Sequence, residues 1–367
     1  MGEKRVFNFS AGPGCLPEPV LKQAQKDIWN LMDSGVGILE HSHRGKVFDR
    51  VLAEALADCR EVGSVPDSYD VVFVGGGASS QFYMIPMNFM PADRSGTMDY
   101  FDTGEWSNKA IAEAKLFGKV NLAGSSKESV YNHTPPKSSW KFAPDAKYTY
   151  IESNSTVFGI KFNELPRNPN GCPLVSDSSS DIYSEPIDVT KYDFIYAGAQ
   201  KNLGPAGTVV IIAKKSYLES GRSDLPTMLQ YRTHVKGESR YNTPATFGIY
   251  LCGQVFKWIK AFGGLKAMAE YNREKAGLIY KHIDSQDFFK GHAEPADRSL
   301  MNLTFKCPTP ELDDLFVKEA EKAGLDGLKG HRSAGGMRAS IYNAFPIEGC
   351  RALVEFMKKF EMEHRKR

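Results

Sequence analysis

PLVSDSSSDIYSEPIDVTKYDFIYAGAQKN, residues 173–202, decides how the chain folds. Pro173–Asp177 and Asp193–Ala197 are short and rich in residues that favour extended backbone, and each leads into a turn of small residues, so both read as strands. The first delivers Asp177, followed by Ser178-Ser179-Ser180-Asp181; the second delivers Gly198-Ala199-Gln200-Lys201-Asn202, followed by Gly204-Pro205-Ala206-Gly207. Two consecutive strands therefore end in a carboxylate and a lysine. Ligands of open α/β sheets bind beyond the carboxyl ends of strands, where such side chains project into a crevice. A lysine in a turn of small residues can lose solvation, which lowers its pKa and frees a neutral amine to attack a carbonyl. A carboxylate from the neighbouring strand can keep a pyridine nitrogen protonated, which makes pyridoxal phosphate an electron sink. An Asp–Lys ion pair on the edge of a sheet uses the same two residues without any ligand.

Outward from this stretch, residues 70 to 213 alternate short apolar runs with longer amphipathic ones, the signature of βα units in a mostly parallel sheet. Asp70–Val74, Thr97–Asp102, Lys147–Glu152 and Thr208–Ala213 are the further candidate strands. Leu52, Ala55, Leu56 and Cys59 share one helical face ahead of the first strand. Val71–Val74 runs into Gly75-Gly76-Gly77-Ala78-Ser79-Ser80, a glycine turn opening a helix, whose free N–H groups and dipole suit a phosphate. As a dinucleotide fingerprint it is incomplete, because Ser80 stands where a third Gly or Ala is needed. Phe247–Phe262 reads as a long helix stopped by Gly263-Gly264. Beyond it Ser299–Phe305 and Met337–Tyr342 read as strands, and helices carrying Leu312, Leu315, Phe316 and Leu353, Phe356, Met357, Phe360 complete a smaller α+β unit. The Pro-Pro and Ser-Ser pairs at 125–139 mark an exposed loop.

Length and composition bound the reading. At 367 residues the chain exceeds one usual hydrophobic core, and a prior of ~150 residues per domain suggests two. Hydrophobic residues at 41% and charged residues at 25% argue against wholesale disorder. A formal charge of +2 predicts no general affinity for nucleic acid or anionic lipid, so anion binding is expected to be local. Cationic residues do concentrate in His41-Ser42-His43-Arg44-Gly45 and in Gly330-His331-Arg332 with Gly335-Gly336-Met337-Arg338. Arginine forks match carboxylate and phosphate oxygens in pairs, so a substrate with two anionic groups fits this supply. The six cysteines have no CxxC pair and no zinc or disulfide spacing, and His41-x-His43 lacks further ligands, so no metal is expected. Reduced thiols point to the cytoplasm. No membrane span, signal core or myristoylation signal is read in the sequence, and His364-Arg365-Lys366-Arg367 reads as a frayed helix end.

Taken together these residues resemble the phosphoserine aminotransferase branch of the class V aminotransferases. The resemblance runs along nearly the whole chain, through Phe7-Asn8-Phe9-Ser10-Ala11-Gly12-Pro13-Gly14, Ser42-His43-Arg44-Gly45-Lys46, the Gly75-Gly76-Gly77 turn, Tyr196–Asn202, Gly204–Gly207, Tyr241-Asn242-Thr243-Pro244, Gly330-His331-Arg332 and Gly335–Asn343. It implies the aspartate-aminotransferase-like α/β fold (PLP fold type I). That fold has a large domain with a mostly parallel seven-stranded sheet, residues 15–258, and a small α+β C-terminal domain, residues 259–367, with residues 1–14 packing on it. It implies a homodimer with active sites at the subunit interface. The activity implied is reversible transfer of the amino group between L-glutamate and 3-phosphohydroxypyruvate, giving O-phospho-L-serine and 2-oxoglutarate, in serine biosynthesis.

Carried over residue by residue, the resemblance makes Lys201 the Schiff-base lysine and pairs Asp177 with the pyridine nitrogen of pyridoxal 5'-phosphate. Trp106 stacks on the ring and Thr156 bonds its hydroxyl. Gly77, Ala78, Ser79 and Gln200 hold the cofactor phosphate, with Asn242 and Thr243 reaching across from the other subunit. Arg338 binds the α-carboxylate, and His43, Arg44, His331 and Arg332 bind the distal phosphate or carboxylate. Bacterial members often carry an arginine after the three glycines, where Ala78-Ser79-Ser80 stands here, so more of the phosphate contact falls to Arg44 and His331-Arg332. Three other readings use some of the same features. A nicotinamide-dependent dehydrogenase uses the glycine turn but leaves Asp177 and Lys201 idle. A metabolite sensor on this fold needs a fused DNA-binding segment. A cysteine desulfurase needs a reactive late cysteine, and Cys307 and Cys350 read as packed positions.

Overall fold

The alternating segments between residues 69 and 214 close into one seven-stranded sheet, seen in a computed structural model that describes residues 5–365. Met1–Lys4, and with them most of the opening sequence read for targeting signals, lie outside the described residues, as do Lys366 and Arg367 of the basic end. In chain order the elements that matter here begin with β1 (Phe7–Asn8), α1 (Glu18–Asp27) and α2 (Lys46–Gly63). β2 (Tyr69–Val74), α3 (Gly77–Phe89), β3 (Thr97–Asp102), α4 (Glu105–Ala114), β4 (Lys119–Ser125) and β5 (Ala146–Glu152) follow. After the short hairpin β6 (Asn154–Ser155) and β7 (Ile160–Lys161) come β8 (Leu174–Asp177), β9 (Phe194–Gly198) and β10 (Val209–Lys214).

The strand order is β2-β10-β9-β8-β5-β3-β4, and β10 runs against both of its neighbours while the other pairings are parallel. Alternation along each strand sends side chains to two faces, and both are covered. On one face Val71, Phe73, Val210 and Ile212 pack with Leu52, Ala55 and Cys59 of α2, so the helical face read at those positions is the buried one. On the other, Val72, Val74, Val209 and Ile211 pack with Phe82 and Ile85 of α3 and Ile111 of α4. The strands expected from sequence are present within a residue or so at each end. The exception is β4, whose edge position leaves Leu122 exposed and blurs the apolar alternation that marks the others.

Two short helices, α5 (Lys215–Glu219) and α6 (Tyr231–Lys236), lead to α7 (Thr246–Ala261), which lies against α2 closely enough that a Cβ on Gly253 would meet Ala55 Cβ at 3.1 Å. α7 ends before Gly263 and Gly264, both at positive φ, and α8 (Gly264–Asp284) starts there. Then β11 (Lys290–Gly291), β12 (Asn302–Lys306), α9 (Pro310–Lys322), β13 (Leu325–Asp326), β14 (Met337–Ser340) and α10 (Ile347–His364) build a second core around Leu303, Phe305, Phe316, Ile341 and Leu353. β12 and β14 are shorter than the segments 299–305 and 337–342 expected from sequence, because Ser299 and Tyr342 turn out of the ladder into side-chain contacts. The first strand returns to this end of the molecule: β1 pairs in parallel with β13, and Phe9 is buried in the second core. Cys307 and Cys350 are buried in that core too. Among the described residues no helix is long and apolar enough to cross a membrane.

Candidate active site

Three strands bring the chemistry together. Parallel register places Glu152, the last residue of β5, opposite Asp177, the last of β8, and Asp177 opposite Tyr196 of β9. Asp177 is almost fully buried, and both carboxylate oxygens are occupied: Ser179 N–H donates to Oδ1 at 3.0 Å and Tyr196 Oη to Oδ2 at 2.9 Å. Lys201 follows β9, and its Nζ donates to Thr156 Oγ1 at 2.7 Å. Part of the Lys201 side chain is accessible, yet burial still draws its pKa below the ordinary lysine range. The neighbouring Asp177 carboxylate opposes that fall, and the Arg338 guanidinium adds to it. Arg338, on β14, donates to the Thr156 carbonyl at 3.3 Å, which brings the second core to the same spot. The N-terminal segment closes over it: Gly14 N–H donates to the Gln200 carbonyl at 2.7 Å, and a Cβ on Gly12 would meet Gln200 Cγ at 3.5 Å and Lys201 Cγ at 3.9 Å.

The glycine turn opens α3 as its spacing predicts. Gly76 and Gly77 have φ of +89° and +68°, and no side chain caps the helix. The first-turn N–H groups of Gly77, Ala78 and Ser79 therefore face outward with the helix dipole behind them. Gly75 and Gly77 have no heavy atom within 4 Å of where a Cβ would stand, so the turn is a cradle. Trp106 sits in the first turn of α4 with its indole Nε1 buried and unpartnered among the described residues, and Lys109 Nζ lies 4.4 Å from its ring centre. The His331–Ala334 loop reaches the same helix start, where Ser333 Oγ donates to Glu105 Oε2 at 3.2 Å, and Ala334 and Trp106 pack against one apolar cluster that includes Tyr131 and Phe158. Burial lowers the His331 pKa, the nearby Glu105 carboxylate opposes this, and Arg332 beside it is exposed.

The structure thus gathers Thr156, Asp177, Gln200, Lys201 and Arg338, with the Trp106 helix joined to the His331 loop. It does not bring His43, Arg44, Asn242 and Thr243 into contact with Lys201. Arg44 lines an open surface hollow of 570 Å³ with Gly237, Arg240 and Tyr241. Asn242 and Thr243 line a cleft of 370 Å³ that reaches Gly75, Gly76 and Ser80. His43 Nε2 is buried and unpartnered among the described residues. Three residues at the site were not read from sequence. Glu152 could have been found, since it ends a candidate strand as Asp177 does. Tyr196 and Ser179 read only as strand and turn residues.

The residues fit pyridoxal phosphate on these observations: a glycine cradle at an uncapped helix start, a lysine of lowered pKa, a carboxylate with both oxygens fixed, and an aromatic ring with a free N–H. Residues 6–353 match the family described as Aminotransferase class-V. The chain is 49% identical over 356 residues to the phosphoserine aminotransferase of Desulfotalea psychrophila, covering 97% of this chain and 98% of that one. It is 48% identical over 362 residues to that of Lysinibacillus sphaericus, covering 98% and 99%. Among solved structures, the phosphoserine aminotransferase of Bacillus circulans subsp. alkalophilus superposes with a TM-score of 0.95 at 46% identity, covering 98% of this chain and 99% of that one. The PLP-bound phosphoserine aminotransferase of Trichomonas vaginalis superposes with a TM-score of 0.92 at 40% identity, covering 96% and 100%. A family match across most of the length and near-half identity over almost all of it leave one conclusion: the chain belongs to the class V aminotransferases.

Proposed function

We propose that this chain is a pyridoxal-phosphate-dependent transaminase that moves an amino group reversibly between L-glutamate and 3-phosphohydroxypyruvate. The products are O-phospho-L-serine and 2-oxoglutarate, and the reaction serves serine biosynthesis. The observation that carries this reading is the convergence of Lys201, Thr156 and Asp177 at the ends of three strands, in a chain nearly half identical to phosphoserine aminotransferases throughout.

When bound, pyridoxal phosphate supplies an electron sink for the carbanion that forms at the substrate α-carbon. The protein supplies the rest. Lys201 Nζ is the attachment point and, once released, the general base that removes the α-proton and the acid that later returns it; its lowered pKa keeps a neutral amine accessible. Asp177 would hold a proton on the ring nitrogen. Thr156 Oγ1 would bond the ring hydroxyl, Trp106 would stack on the ring, and Gly77, Ala78, Ser79 and Gln200 would cradle the phosphate. Arg338 would bind the α-carboxylate and so orient the substrate toward Lys201. His43, Arg44, His331 and Arg332 take the distal anion, a phosphate in one half-reaction and a carboxylate in the other, and both accept paired hydrogen bonds.

The active form in this reading is a homodimer in which Asn242 and Thr243, with His43 and Arg44, serve the site of a second copy. The supporting observations are that Arg44 lines a surface hollow with no residue of the Lys201 site, and that the apolar stretch Ile28, Trp29, Met32, Val36 and Leu39 is exposed. Residues 15–258 form the large domain, and residues 259–367, with 1–14 packed on them, the small one. The protein works in the cytoplasm. Lys201→Ala tests the core of the reading: turnover and the visible absorption band are expected to vanish while the circular dichroism spectrum persists, and retained turnover rejects the role of Lys201.

A further inference from the structure

Resting on the role of Asp177 as partner of the cofactor's ring nitrogen, we propose that Tyr150 and Tyr196 form a two-phenol relay that holds Asp177 as an aimed carboxylate. Both are thereby positioning residues for transamination. Tyr196 Oη donates to Asp177 Oδ2 at 2.9 Å, and Tyr150 Oη lies 2.7 Å from Tyr196 Oη. A phenol has a single hydrogen and a carboxylate only accepts. Tyr196 spends its hydrogen on Asp177, so Tyr150 donates to Tyr196, and the relay has one direction.

The sheet register builds this arrangement. Tyr196 stands opposite Asp177, and Tyr150 lies two residues before Glu152 on the same face of β5. Both phenols are at most 1% exposed, so water does not compete for these bonds. Burial, followed by the Asp177 charge, pushes both phenol pKa values well above the ordinary tyrosine range, which keeps both hydrogens in place. Each bond polarises the next, and both act on the carboxylate from within the sheet.

The charged and titratable groups facing Asp177 are Glu152 from β5, Tyr196 from β9, Lys201 from the turn beyond it and Asp181 from its own loop, with Arg338 of β14 acting on Lys201. Among the described residues only Ser179 and Tyr196 donate hydrogen bonds to the Asp177 carboxylate. Fixing the carboxylate oxygens aims them at the ring nitrogen and favours a proton there. Loss of the relay leaves Oδ2 without its donor and weakens the electron sink.

The test compares Tyr196→Phe, Tyr150→Phe and Tyr148→Phe in protein loaded with pyridoxal phosphate. Two quantities are read: the pH midpoint of the visible band, and kcat and KM for glutamate. Tyr148 is equally buried, but its hydroxyl bonds Tyr100 at 2.8 Å and not Asp177, so its removal controls for the loss of any buried hydroxyl. Tyr196→Phe is expected to raise the midpoint and lower kcat about tenfold, the scale of one hydrogen bond to a charged group, with KM within about twofold. Tyr150→Phe should act in the same direction but less, and it carries the same test one bond further out if Tyr196→Phe does not fold. Tyr148→Phe should leave both quantities unchanged. A wild-type midpoint in the folded Tyr196→Phe or Tyr150→Phe protein, or an equal shift in Tyr148→Phe, overturns the relay alone. Wild-type protein that develops no band with pyridoxal phosphate overturns the cofactor reading and the relay with it.

Discussion

Glu152 and Asp177 stand opposite each other on neighbouring strands, yet their surroundings assign them different protonation roles. Burial, and then the charge of Asp177, holds the Glu152 carboxyl well above the ordinary carboxylate range; its side-chain partner is Thr103 Oγ1 at 3.5 Å, a weak contact. Two adjacent carboxylates in a dry site resist ionising together, and the surroundings of Glu152 favour its neutral acid, while Asp177 has both oxygens bonded. Glu152→Gln imitates a neutral acid and should keep kcat within about threefold. Asp177→Asn should lower kcat by roughly a hundredfold or more, as loss of a positioned charge does. Steady-state rates with glutamate and the keto acid read both, and equal losses would show that Glu152 is ionised as well. Asp177 and Lys201 were legible in sequence because each is charged at the end of an apolar run. Glu152 met the same description, but its meaning depends on which strand lies beside it, and that is a property of register. Tyr196 was illegible for a different reason: a tyrosine inside a strand reads as a packing residue until its hydroxyl is seen to reach a partner.

At the scale of the element, the turn Gly75–Gly77 and the helix it opens show how far local sequence carries. Three glycines after four apolar residues announced both the strand end and the helix start, because positive φ and close approach are costly for other residues. Gly77→Ala meets no atom within 4 Å, so any loss comes from backbone strain at φ of +68° and from a methyl group standing in the cradle. About 1 kcal/mol of stability should be lost, with affinity for pyridoxal phosphate weakened about tenfold. Thermal unfolding and a cofactor titration of the apo-protein check the two parts separately. β4 escaped the sequence reading because its alternation of burial is incomplete, with Lys119 and Leu122 exposed, unlike β2, which is buried almost throughout at the other edge. The inner strands are buried and stood out as short segments rich in Val, Ile, Tyr and Phe.

Across the whole molecule, the predicted binding residues fall into two groups, one around Lys201 and one on the surface near Arg44, Tyr241 and Asn242. Sequence motifs named both groups, and within one chain neither Arg44 nor Asn242 touches Lys201, although Asn242 and Thr243 share a cleft with Gly75 and Gly76. Trp29 is 85% exposed within the apolar stretch from Ile28 to Leu39, more than a lone chain gains by showing to water. Trp29→Glu should shift the protein from dimer toward monomer in sedimentation velocity and lower activity at nanomolar enzyme, with recovery as concentration rises. A persistent dimer with full activity would place the interface elsewhere. The pairing of β1 with β13 matters on another timescale. On the ribosome Phe7 emerges more than three hundred residues ahead of Leu325 and waits for it before it finds its strand partner. Because Ala11 to Gly14 lie between that strand and Lys201, the segment covering the lysine is moored at one end by residues made some three hundred positions later.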